Sequence, residues 1–85
     1  MLTCRGNARV IKFKKNSKGD QSYIRLILKE KNNSYDAYIK EPLASKLKKE
    51  DILDADIVYN GKILFKSGAM YVIIGSIIVI DSFYK

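Results

Sequence analysis

The stretch RVIKFKKNSKGDQSYIRLILKEKNNSYDAYIK, Arg9 to Lys40, decides how this chain is read. It holds three extended runs separated by two polar turns. From Ile11 the alternation Ile11-Lys12-Phe13-Lys14 puts Ile11 and Phe13 on one strand face and Lys12 and Lys14 on the other. Arg9 and Val10 fit that phase badly, so a bulge near them is expected to reset it. Asn16-Ser17-Lys18-Gly19-Asp20 reads as a turn, with Gly19 free to take a positive φ. A second strand, about Gln21 to Lys29, turns Ile24, Leu26 and Leu28 inward and Tyr23, Arg25 and Lys29 outward. Lys31-Asn32-Asn33-Ser34 is the next turn. A third strand, Tyr35 to Lys40, puts Ala37 and Ile39 on the core side and Asp36, Tyr38 and Lys40 on the other. The product is an antiparallel meander with one apolar face and one basic, tyrosine-bearing face.

Outward from this meander, the first strand extends back to residue 2, and Gly6 marks a bend or bulge in it. Downstream, Pro42 ends the third strand. Leu43 and Leu47, at i and i+4, predict a short amphipathic helix docked by its two leucines, with Glu41 at its start and lysines at its end. A fourth strand begins near Asp54–Asp56. Asn60-Gly61 within it allows either a two-residue hairpin or a glycine bulge inside one long bent strand; the long strand, running to Lys66, is preferred. Met70 to Ile80 is the last strand, with Gly75 a second bend. That strand is apolar on both faces, more than one small barrel core requires. Part of it is therefore expected to meet a second subunit through Phe65, Met70, Tyr71, Ile73 and Ile77.

At 85 residues the chain makes one domain with one modest core, residues 1–85 together. Its 47% hydrophobic and 29% charged content suits a folded protein, not a disordered one. The formal charge is +7, and its placement says more than its size. Residues 1–40 carry ten Lys or Arg against three acids, whereas residues 41–85 carry six against six. All the excess lies in the half that holds the aromatic–basic strands, as expected for a polyanionic partner. No basic amphipathic helix accompanies it, which argues against a membrane surface. Cys4, the single cysteine, suits a reducing cytoplasm, and the first residues show no signal-peptide pattern.

Catalysis has little to stand on. There is no histidine, and Cys4 has no such partner to make it a nucleophile. Glu50, Asp51, Asp54 and Asp56 do not have the spacing of a calcium loop, and the five glycines are too scattered for a phosphate loop. No metal, cofactor or enzymatic activity is expected. Binding is better supported. Cations that track phosphates, beside rings on which bases stack, are what a single-strand binder needs. Arg9, Lys12, Lys14, Lys15, Lys18, Arg25 and Lys40 supply the first, and Tyr23 and Tyr38 the second. Phe13 and Tyr35 fall to the core. Each residue alone is also an ordinary surface charge or sheet tyrosine; the clustering carries the reading.

The order strand, strand, strand, short helix, strand, strand predicts an all-β, five-stranded, OB-fold-like Greek-key barrel. The layout from Arg9 to Ile80 resembles the small single-stranded-DNA-binding proteins of phages and plasmids, in particular the filamentous-phage gene V proteins. The resemblance rests on the basic first hairpin, the aromatic second strand and the final hairpin Phe65-Lys66-Ser67-Gly68-Ala69-Met70-Tyr71. It implies a homodimer joined through that hairpin, cooperative coverage of single-stranded DNA and little sequence preference. Pro42 and the helix-like segment after it depart from the family's layout. An RNA-binding module, or a protein–protein adaptor using the apolar last strands, are the alternatives.

Overall fold

Inward residues at every second position generate five strands, and the structure, a computed structural model describing residues 2–81, curls them into a closed barrel. The strands are β1 (Leu2–Lys18), β2 (Gln21–Glu30), β3 (Asn33–Lys40), β4 (Asp56–Lys66) and β5 (Ala69–Asp81). The order around the barrel is β1-β2-β3-β5-β4, and β4 pairs back onto β1. Every pairing is antiparallel except β3 with β5, which run parallel through Asp36–Ile39 and Tyr71–Ile74. A long first strand shared by two neighbours, closed by a β3–β5 contact, is the OB-fold. The expected fold class stands.

β1 serves both neighbours by bulging. Its register to β2 jumps between Val10 and Lys12, leaving Ile11 as the extra residue. Val10 is fully buried and Phe13 packs on the core, but Ile11 is 42% exposed, so simple alternation misplaced it. The backbone of Val10 is held from the far side, where Asp54 N–H donates to its carbonyl at 2.7 Å and its own N–H donates to Ala55 O at 3.0 Å. Gly6 is not the bend. It stays in regular register with Tyr59, whose ring lies over it; a Cβ at Gly6 would sit 2.5 Å from Tyr59 Cζ.

Between β3 and β4 the expected single helix is two pieces. A 3-10 turn (Leu43–Lys46) and one α turn, α1 (Lys49–Ile52), are separated by an extended Leu47. Leu43 and Leu47 are only partly buried, and the fully buried residues are Ala44 and Ile52. So short a helix has no stability of its own, and docking onto the barrel decides its shape. Glu41 ties the first piece, accepting from Ser45 N–H at 2.9 Å and from the Ser45 hydroxyl at 2.6 Å.

β4 runs unbroken through Asn60–Gly61, as the long-strand reading expects. Its register to β5 shifts there, with Asn60 opposite Ser76 and Gly61 opposite Ile74, which makes Gly75 the extra residue. Ile24, Leu26, Leu28, Ile39 and Ile57 fill the barrel at 0% exposure, each worth about 1.5–3 kcal/mol of transfer free energy. Tyr35 and Tyr59 close one side of the core with hydroxyls 2.6 Å apart, and Tyr35 also donates to Glu30 at 3.2 Å. Burial first, and then the neighbouring Tyr59 hydroxyl, pushes the Tyr35 phenol far above its ordinary range; burial likewise raises Tyr59.

Candidate nucleic-acid interface

Strand register builds the outer face row by row. Lys14, Arg25, Tyr38 and Ile73 lie side by side across β1, β2, β3 and β5. The next row toward the β2–β3 turn is Lys12, Ile27, Asp36 and Tyr71, and the row on the other side is Asn16, Tyr23 and Lys40. Three half-buried tyrosines thereby meet on a diagonal. Tyr38 lies 6.1 Å from Tyr23, tilted by 50°, and 5.4 Å from Tyr71, edge-on at 79°. Both separations are within the favourable range for aromatic pairs, so the rings hold one another in place.

Cations border this cluster on two sides. Lys12, Lys14 and Arg25 line a narrow crevice of about 100 Å³ that contains no acid. Lys18, Tyr23 and Lys40 share a wider recess of about 560 Å³, which Asp20 and Glu41 also line. Arg25 donates to Asp36 at 3.1 Å, and that hydrogen bond and charge hold its guanidinium above the ordinary value. The pair is exposed, so it orients the Arg25 side chain and contributes little to stability.

Not every cation singled out from the sequence reaches the face. Arg9 lies beyond the bulge and is tied to Asp56 at 3.2 Å, which raises its pKa in the same way. Lys15 is opposite Ile24, on the opposite strand phase from Lys14. Among the residues expected at a dimer seam, Ile77 packs against the core and Tyr71 is part of the ring cluster. Phe65 and Met70 face one another across the β4–β5 turn at 70% and 42% exposure. Tyr71, which the sequence leaves between a dimer seam and a strand contact, lies on this face beside Tyr38. Its signal was the inward phase of Val72 and Ile74, which sends Tyr71 outward; what the sequence lacked was the β3–β5 pairing that sets it beside Tyr38.

Fold and face together define an OB-fold barrel with an aromatic–cationic outer sheet. Two solved structures are similar to it. One is the SSB domain of a Synechococcus sp. protein, with a TM-score of 0.74 at 12% identity, covering 91% of this chain and 93% of that one. The other is the second OB-fold domain of replication protein A from Methanococcus maripaludis, also with a TM-score of 0.74, at 19% identity, covering 99% of this chain and 89% of that one. At these identities the likeness is one of fold. No protein-family model and no curated protein matches the sequence. Among the described residues no helix is long and apolar enough to cross a membrane, and no group of acids or Cys could hold a metal.

Proposed function

We propose that this protein binds single-stranded nucleic acid, DNA before RNA and without strong sequence preference, across the outer face of β1, β2, β3 and β5. The observation that carries the reading is the Tyr23–Tyr38–Tyr71 cluster between two groups of cations. Bases of any identity offer a π-face to such rings while lysines follow the phosphates. That the two similar solved structures are named as an SSB domain and a replication protein A domain supports the same reading. We read the chain as a binding module rather than an enzyme, acting in the cytoplasm in replication or maintenance of phage or plasmid DNA. That setting rests on its resemblance in layout to the gene V proteins. A homodimer formed through the last hairpin is supported by the exposure of Phe65 and Met70 on its two sides.

Titrating fluorescein-labelled oligo-dT with the purified protein tests this. Saturable binding at micromolar protein that weakens as salt rises is the expected result, and its absence would overturn the proposal. A matched oligo-U separates the ligands, because only a contact to the 2′-hydroxyl would favour RNA.

A further inference from the structure

The outer face does not end at the tyrosines. Ile73, beside Tyr38, is also in register with Lys62 on β4, and Lys62 with Thr3 on β1. The row that begins at Lys14 thus continues around the barrel onto its β5–β4–β1 side. There it enters an open trough of about 660 Å³, lined by Arg5, Asn60, Lys62, Ile73 and Ser76. The glycines make the trough. Gly75 leaves room above the sheet, and Gly61 lets β4 approach the Ile73 carbonyl so closely that a Cβ there would collide with it.

The chemistry of the lining is one-sided. Arg5 and Lys62 are exposed, and neither has an ion-pair partner among the described residues, unlike Arg9 and Arg25. No carboxylate lines the trough, whereas acids line the recesses beside Lys18, Tyr35 and Arg9. Asn60 donates to Ser76 at 3.4 Å, a long bond between two groups that also face the opening. Two cations, an amide and a hydroxyl around an apolar floor suit a sugar-phosphate with its base laid on Ile73.

We propose that the trough is a second nucleotide subsite, which takes the strand after it leaves Tyr38 and bends it around the β5–β4–β1 side of the barrel. This rests on the single-strand reading above and extends its path. The test uses oligo-dT in a length series together with the double variant Arg5→Ala/Lys62→Ala, whose changes lie on exposed side chains. Short oligomers, which reach only the tyrosines, bind the variant and the native protein alike. Long ones bind the variant at least 10-fold more weakly, with a salt slope shallower by about 1.4, two phosphates at about 0.7 each. If the double variant keeps native affinity and slope for long strands, the subsite is wrong while the single-strand reading survives. If the unaltered protein binds no oligonucleotide, both fall.

Discussion

Tyr38 has a ring on each side, and that position sets what its removal does. Stacking contributes about 1–3 kcal/mol per base, so Tyr38→Ala weakens oligo-dT binding roughly 5- to 100-fold. It costs at least as much as Tyr23→Ala or Tyr71→Ala, because each of those leaves one ring against Tyr38. Tyr38→Phe keeps the ring and most of the affinity; the same fluorescence titration ranks all four, and a harmless Tyr38→Ala would remove the cluster from the site. Tyr35 and Tyr59 behave differently, since their hydroxyls are half-buried and their folded-state pKa values lie above the ordinary 10.0. A raised folded pKa means the native state holds its proton more tightly, so this stabilisation is complete below pH 10 and is lost as pH climbs beyond it. Absorbance at 295 nm during an alkaline titration is expected to show these two phenols ionising only above pH 10, close to the pH of unfolding. Tyr35→Phe removes one of these ionisations and leaves oligo-dT affinity unchanged.

At the scale of elements, glycines separate what the sequence discloses from what it conceals. Gly6 lies under the Tyr59 ring, whereas a Cβ at Gly75 would meet only Asn60 O, at 3.7 Å. Gly6→Ala is therefore expected to cost about 1–3 kcal/mol through overpacking, while Gly75→Ala stays within about 0.5 kcal/mol. Urea denaturation of the two variants checks the contrast, and equal midpoints would contradict it. Both glycines look alike in the sequence, each an interruption of an extended run. The difference arises from a partner at position 59, and no local pattern reports so distant a pairing. Local alternation did place Ile24, Leu26, Leu28, Ala37 and Ile39 inward, and Tyr23 and Tyr38 outward, because a half-buried strand writes its two faces into adjacent residues. It failed at Ile11, where the bulge shifts the phase by one. It failed again after Pro42, where a helix too short to stand alone takes its shape from docking. Tyr71 belongs with the failures of range, since only barrel closure brings β5 beside β3.

For the whole molecule, the question is whether net charge or its placement holds the ligand. A chain at +7 attracts any polyanion, and an adaptor that carries charge only for solubility would do so too. Two triple variants separate these cases, because three reversals of Lys to Glu remove six charges from +7 and leave +1 in each. One reverses Lys12, Lys14 and Lys40 beside the tyrosines; Arg25 is spared, since a glutamate there would face Asp36. The other reverses Lys46, Lys48 and Lys49 on the segment between β3 and β4. If net charge governs, both lose the same affinity and the same salt dependence. If the strand lies along the tyrosine face, the first variant loses about three phosphate contacts, flattening the salt slope by about 2, while the second keeps the native slope and loses only long-range attraction, which salt screens beyond about 10 Å at 0.1 M. The expected outcome is this second pattern, read from oligo-dT titrations at several salt concentrations. Matching slopes for the two variants would leave the segregated charge without a binding role and return the exposed apolar residues of β5 to first place as the working surface.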